Sequence, residues 1–599
     1  MNYKFIIILK NKIFQILLIV LIGFTFMCIV GTQYFAFKTS YNPILKPMIG
    51  KIYFPYFVLI WLFKYQHTAP KLVNLIVSIM NLVAILYSFV LYLIIIKRSQ
   101  KKNTHGSAKY STDRELKKVD MLDSYFPKAG EKYRDGVILG RTSSSKTIID
   151  SKPTHNLIIA PSRSGKGIGI ILPTLVNWSQ SIICFDIKGE NFQHTSKYRQ
   201  EKLNNKVLRL APCDPLGGTR YNPLKEIRVR TGAEVKDTEV ISNLLVSDGI
   251  GEKKDHFQIA ATSVFTAIIL HLLYSKENPT MADIYDFLTS PNGSMVDKFT
   301  RLLNGTYISD KNIIRSIYKD SPYKEGVHPI VVQGANEILS KSDRERASVI
   351  STAINRLLLF KDPIVRNNTR ESEFKLTDIL DSETPVTLYF CAQIEDMDRL
   401  GIYVRVVLSQ FFNITMRREK HKHKCLMLLD EFPLYGKLDS IQDALGVIAS
   451  FGIKIMLIAQ NKEQIEQKYG KVNTIKQGCA SSVFYAPNGT DYDTQKLISD
   501  ILGNKTITYK TSSGKKLGGI FDGNVSINTK SRKLLEPDEV RSVLGDDKNI
   551  ILLHGCNPTM GIKIRYYEEE YFNNKIVPKD EKEDPKNWAK IDTIKKRRK

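Results

Sequence analysis

NLIIAPSRSGKGIGIILPTL, residues 156–175, sets a short apolar run, Leu157 to Ile159, ahead of a small-residue loop and a second apolar run opening near Gly165. The spacing predicts strand, loop and helix in that order, which is the layout of a phosphate-binding turn. Small side chains let backbone N–H groups approach phosphate oxygens, and a helix N-terminus stands behind them. The candidate loop is Ala160, Pro161, Ser162, Arg163, Ser164, Gly165, Lys166 and Gly167, with Lys166 the residue that reaches β- and γ-phosphates. Against the pattern G-x-x-x-x-G-K-[ST], Ala160 replaces the first glycine and Gly167 the hydroxyl residue. A magnesium ion would therefore depend on water, phosphate and a downstream acid. A glycine-rich strand-to-helix turn without a ligand is the plainer alternative.

A second stretch, HKHKCLMLLDEFPLYG at 421–436, decides between them. Its apolar run Cys425 to Leu429 ends in Asp430 and Glu431. An aspartate at a strand end can be held toward Mg²⁺, and a glutamate beside it can polarise an attacking water. Both stretches place polar groups at the C-terminal ends of apolar strands, where open α/β sheets bind ligands. A third run, Ile453 to Ala459, ends in Gln460, an amide placed to sense a γ-phosphate or, more simply, to be solvated in a loop. Ser181 to Asp186, Val386 to Cys391, Ser482 to Tyr485 and Asn549 to Leu553 complete the expected strands. The fold class is α/β, a largely parallel sheet with crossover helices. Residues 232–343 show helical periodicity, as in FQIAATSVFTAIILHLL, and no convincing long strand.

Composition bounds the rest. The 599 residues are 43% apolar, and 87 basic against 61 acidic side chains give a formal charge of +26. That excludes wholesale disorder and suits a membrane anchor with two soluble domains. The charge suits an acidic partner, DNA or an anionic lipid surface, although abundant Lys, Ile and Asn also follow from genome base composition. The cysteines form no C-x-x-C pair, so neither a metal cluster nor a disulfide framework is expected. Cys184, Cys391 and Cys425 fall inside strand-like runs, as small core residues do in a reducing cytoplasm.

Residues 13–31 and 72–96 are uncharged, and at about 1.5 Å per residue the first approaches the ~30 Å hydrocarbon thickness and the second exceeds it. Both read as transmembrane helices; a cleavable signal would have a shorter core and a small-x-small site. Lys4, Lys10 and Lys12 precede the first span, and Lys97, Arg98, Lys101 and Lys102 follow the second. The positive-inside rule puts both ends in the cytoplasm and the loop 32–71 outside, despite that loop's own lysines. Its aromatic stretch Tyr53 to Phe57, followed by VLIWLF, is too short to span and is expected along the outer interface.

Taken together these residues resemble the TraG/VirD family of type IV secretion coupling proteins. The likeness rests on PSRSGKGIGIILPTL followed by SIICFDIKGEN, then RYNPL at 220–224, DHFQIAATSVFTAIIL at 255–270, RERASVISTAINRLLLFKDP at 344–363, LLDEFP at 428–433 and LIAQNKEQIEQKYG at 457–470. It covers the membrane spans to about residue 560, and glycine after the loop lysine is itself family-like. The resemblance implies a RecA-like P-loop ATPase domain using ATP and Mg²⁺ and interrupted by an all-α insert. Its first part would be 104–231, the insert 232–343 and its second part 344–570, after an anchor at 1–103 and before a basic, disordered tail at 571–599. It implies Asp430 as the Mg²⁺ ligand and catalytic parts for Lys166, Glu431 and Gln460. It also implies a homo-hexameric ring at the bacterial inner membrane, with a neighbour's arginine at each ATP; Arg405 and Arg346 are conceivable suppliers. Partners would be type IV secretion channel components, cargo proteins and relaxase-bound single-stranded DNA. A septal-type DNA translocase, or a non-hydrolysing membrane receptor with a degenerate loop, are the rival readings. The Gly, Ser, Thr and Lys content of 505–533 reads as an inserted flexible hairpin or loop with no assigned task.

Overall fold

The computed structural model describes residues 3–45, 49–99, 105–123, 134–247, 255–513 and 524–577. It forms two units, one of residues 1–105 with 508–529 and the other of 106–507 with 530–599.

In the first unit, helix Tyr3–Lys38 packs against helix Pro70–Ser99, and the connection between them carries a short helix, Phe57–Tyr65. Val20–Lys38 and Pro70–Val90 are long and apolar enough to cross a membrane. The first helix runs on past the expected end of the span at residue 31, because TQYFAFK keeps an apolar face that packs on Trp61 and Tyr65.

The strands in chain order are β1 (Val137–Arg141), β2 (Thr147–Asp150), β3 (His155–Ile159), β4 (Ser181–Ile187), β5 (Lys206–Leu210), β6 (Val386–Ala392), β7 (Cys425–Leu429), β8 (Ile453–Ala459), β9 (Cys479–Phe484), β10 (Asn504–Ser513), β11 (Asn524–Lys533), β12 (Lys548–Leu553) and β13 (Thr559–Ile562), and all but β10 and β11 lie wholly in the second unit. Eleven of them make one sheet, ordered β2-β1-β13-β12-β9-β3-β8-β7-β4-β6-β5, while β10 and β11 form a separate ribbon. From β9 to β5 every pairing is parallel, and β12, β13, β1 and β2 extend the sheet antiparallel.

Alternation along the central strands explains why they read as unbroken apolar runs. Leu426 and Leu428 join one buried cluster with Ile158, Cys184 and Ile458, and Met427 and Leu429 join another with Ile159, Phe185 and Leu457. A parallel strand covered on both faces needs apolar residues at odd and even positions alike.

The chain between β5 and β6 carries helices and no strand among its described residues. Its longest helix, His256–Ser275, is apolar enough to span a membrane, yet Phe265, Ile268 and Ile269 are wholly buried in the protein core. At the other end, Tyr571, Phe572 and Ile576 are buried, so ordered chain continues past 570, where the tail was expected to begin: two aromatics and an isoleucine hold it to the sheet. The remainder of that tail, 578–599, lies outside the described residues.

Candidate functional site: the C-terminal edge of the parallel sheet

Strand order sets the site. The loop after β3 and the acidic pair after β7 are separated by one strand, β8, so the ends of all three lie side by side. The loop is tied to that neighbour directly, because Ala160 N–H donates to the Ala459 carbonyl at 2.9 Å. Gln460 is the next residue, beside the start of the loop, and its own N–H donates to Gln464 Oε1 at 3.1 Å.

The loop turns on two positive φ angles, Arg163 at 60° and Gly165 at 91°, and closes with Ser164 N–H donating to the Pro161 carbonyl at 3.2 Å. Lys166 then enters a helix that opens with one π turn, Gly167–Ile171, before α geometry resumes over Leu172–Asn177. The sequence predicts an ordinary α-helix from Gly165; the wider turn lets the Leu172 N–H reach back to the Gly167 carbonyl, and such turns recur at functional sites.

Lys166 and Glu431 are 265 positions apart in sequence, yet Lys166 Nζ donates to Glu431 Oε1 at 2.9 Å and pairs with Asp430 Oδ1 at 3.0 Å. Burial alone would lower the lysine's pKa, but Asp430 and Glu431 outweigh it and the net shift is upward. Burial raises the Asp430 pKa more than Lys166 lowers it, and Glu431 adds to the rise. Glu431 is held in the left-handed region, φ 53° and ψ 46°. A glutamate persists there only when its surroundings force it, and such residues cluster at functional sites.

The site fits a magnesium nucleotide on its own charges. Lys166 has two carboxylates where a phosphate-reaching lysine would have phosphate oxygens. Asp430 Oδ1 is buried and, apart from its ion pair with Lys166, accepts no aligned hydrogen bond. An incoming polyphosphate would take the ammonium, and a divalent cation would take the freed carboxylate.

Three nearby residues were given no part by the sequence reading. Lys563, just beyond β13, donates to the Ser164 carbonyl at 3.2 Å and sits 4.3 Å from the centre of the Tyr485 ring. Nothing in GIKIRYY marks it, since its place depends on the antiparallel extension of the sheet. Gly169 packs its backbone against Ile564. Asp186, at the end of β4 beside β7, is wholly buried and accepts from the N–H groups of Phe192 at 2.8 Å and Asn191 at 3.2 Å. Burial lifts its pKa to about 7 against those two donors. Arg346, one conceivable arginine donor, is engaged at its own helix start, donating to the carbonyls of Leu339 and Lys341 at 3.1 Å each.

A strand, a lysine loop and a helix facing an acidic strand end across one intervening strand define a P-loop NTPase. The family described as Type IV secretory system Conjugative DNA transfer matches residues 117–587, and the chain belongs to it. Over 564 residues the chain is 30% identical to the conjugal transfer protein TraG of Escherichia coli, covering 87% of this chain and 84% of that one. It is 29% identical to VirD4 of Rhizobium radiobacter over 487 residues, 80% of this chain and 66% of that one. Among solved structures, the bacterial conjugative coupling protein TrwB shares the fold at 15% identity with a TM-score of 0.54, covering 78% of this chain and 96% of that one. TrwB in complex with ADP and Mg²⁺ gives 14% identity and a TM-score of 0.53 over 78% and 96%.

Proposed function

We propose that this chain is the coupling ATPase of a type IV secretion system, recruiting protein or relaxase-bound DNA cargo at the inner membrane and energising its transfer to the channel. The observation that carries the reading is Lys166 held between Asp430 and Glu431 at the C-terminal edge of the sheet. TrwB, which shares the fold, holds ADP and Mg²⁺, and that supports nucleotide as the ligand here.

In this reading the backbone of residues 160–167 cradles the phosphates and Lys166 balances their charge. Bound Mg²⁺ would be held by Asp430 and would supply Lewis-acid polarisation of the phosphoryl oxygens. Glu431 orients the attacking water and accepts its proton. Gln460, just past the strand between loop and acids, reports hydrolysis to the ring. The helical insert 232–343 reads cargo, the domain parts 104–231 and 344–577 form the motor, and the basic stretch 578–599 is a solvated arm. Both long N-terminal helices span the membrane with their outer ends joined by the 32–71 loop, the motor is cytoplasmic, and six copies form the working ring.

The test is Mg²⁺-dependent ATP turnover by the purified full chain, paired with cargo transfer in cells. Lys166→Ala should abolish both. A Lys166→Ala chain that still hydrolyses ATP and still supports transfer removes the motor reading, and a parent chain with no turnover in any oligomeric state leaves the receptor reading in its place. Crosslinking from the insert to cargo in cells tests its role separately.

A further inference from the structure

The connection between the two long N-terminal helices is a folded cap. Tyr53, Val58 and Trp61 are buried with Cys28, Phe35 and Met80 of the long helices. Thr32, wholly buried on the first helix, makes the junction: its hydroxyl donates to the Pro55 carbonyl and accepts from Val58 N–H at 3.1 Å. Thr25 shares a 2.8 Å hydrogen bond with the Tyr56 hydroxyl about two helical turns lower. The two Thr32 bonds satisfy the Pro55 carbonyl and the Val58 N–H where the chain breaks at the Phe57–Tyr65 helix start, which is the requirement for non-helical backbone at membrane depth. Thr32 lies six residues before the helix end at Lys38, so the connection descends about 9 Å along the first helix before turning back.

One face of the short helix is spent on this packing, and the other is apolar and uncovered. Phe63 is 78% exposed and Ile60 61%, and the connection before the helix adds Ile44 at 72%, in the Pro43–Leu45 turn, and Ile49 at 71%, in a bridge to Ile52. Among these side chains stand lysines whose ammonium groups lie over aromatic rings: Lys51 over Tyr41 at 5.1 Å, Lys64 over Tyr65 at 5.4 Å and Lys38 over Tyr34 at 5.8 Å. Residues 1–112 contain no aspartate or glutamate, so the cap offers cations without a single acid of its own segment to compensate them.

We infer that the Phe57–Tyr65 helix and the turn before it embed in the bilayer leaflet at the joined ends of the two long helices, and that the cap's lysines bind anionic phospholipid headgroups there. Apolar side chains flanked by lysine and tyrosine suit this depth, because the stems and rings lie in the acyl boundary while the charges reach the headgroups. The sequence predicts an element resting along the interface. The structure deepens that expectation, since the helix is hung from Thr32 inside the hydrophobic stretch of its neighbour. The inference rests on the membrane-spanning reading of the two long helices and does not depend on which side of the membrane the cap faces.

The full chain carrying Phe63→Trp is reconstituted into vesicles of phosphatidylcholine and phosphatidylglycerol in equal amounts, with brominated acyl chains on one lipid or the other. The emission gained over the parent chain should be quenched by both lipids, about twofold more by brominated phosphatidylglycerol. Replacing Lys38→Gln, Lys51→Gln, Lys64→Gln and Lys71→Gln together should remove that difference, and Ile60→Trp should reproduce the Phe63→Trp result. Emission left unquenched in a chain that floats with the vesicles overturns the inference alone. Equal quenching by the two lipids with all lysines present overturns the headgroup recognition. A chain that does not float with vesicles overturns the spanning reading and the inference with it.

Discussion

Gly169 and Ile564 approach so closely that a Cβ built on the glycine would lie 2.7 Å from the Ile564 carbonyl oxygen and 3.0 Å from the Tyr485 hydroxyl. The carbonyl is backbone and cannot rotate away, so the first turn of the loop helix is seated on the chain that leaves β13. The nucleotide loop is thereby coupled to a segment almost four hundred positions further on, and Lys563 makes the same connection through the Ser164 carbonyl.

Gly169→Ala should accordingly cost about 1–3 kcal/mol of stability, the usual penalty for overpacking, and weaken nucleotide binding with it. At Gly167 an added Cβ meets nothing within 4 Å, so Gly167→Ala should leave stability within about 0.5 kcal/mol of the parent. Thermal unfolding of the two variants, with and without nucleotide, checks both; equal losses at the two positions would contradict the packing argument.

Glu431→Gln should retain nucleotide binding and cut turnover by about 10²–10⁴-fold, the range for losing a general base. Glu431→Gly should lose turnover as well, yet raise the melting temperature, because a left-handed φ of 53° costs a glutamate about 1 kcal/mol or more that glycine does not incur. Measured turnover beside melting temperature separates the chemical part of the side chain from the backbone strain it carries.

Asp186 gives a pH prediction. Burial holds its folded pKa at about 7, above the usual carboxylate value of 3.8. A group raised in this way binds its proton more tightly in the folded protein. Its contribution to stability is present in full below about pH 4 and is lost as pH rises through about 7. Asp186→Asn should flatten the fall in melting temperature between pH 5 and pH 8, a change of about 1 kcal/mol per pH unit at most. Melting curves across that window check it, and an unchanged slope would place the titrating group elsewhere.

What was legible in the sequence follows from burial. Cys425–Leu429 and Ile453–Ala459 match their expected bounds because strands covered on both faces leave long apolar runs between polar ends. β5, KVLRL, went unread because an edge strand alternates exposed and buried positions, and its Lys206 and Arg209 mask the pattern. β1, β2 and β13 are short, and although β1 pairs locally with β2 and β13 with β12, the pairing that joins the two hairpins, Arg141 opposite Ile562, is long-range and no local window reveals it. The same limit applies to the site. Lys166, Asp430 and Glu431 stand at the ends of readable strands, whereas Lys563 and Gly169 owe their places to tertiary approach. Asp186 lay within a quoted motif but takes its character from burial, a property of the fold.

Arg199 tests how the loop helix is held from its far end. It is wholly buried, and among the described residues no carboxylate accepts from it: Nε donates to Thr387 Oγ1 at 2.7 Å, and its terminal nitrogens donate to the carbonyls of Leu175, Trp178 and Gln180 and to Asn205 Oδ1. Leu175 lies in the last turn of the loop helix and Trp178 just past it, so the guanidinium caps carbonyls that would otherwise be buried without donors. A lysine carries one ammonium in place of a planar fork, and it cannot reach acceptors spread around the arginine's plane. Arg199→Lys should therefore destabilise the fold by about 2–4 kcal/mol, since each buried carbonyl left without a donor costs about 1–3 kcal/mol. Nucleotide should restore part of the lost melting temperature, because binding at the opposite end of the same helix favours the seated conformation. Melting curves of the parent and Arg199→Lys chains, with and without ATP and Mg²⁺, decide the matter. A variant as stable as the parent would mean that water, and not the arginine, satisfies those carbonyls.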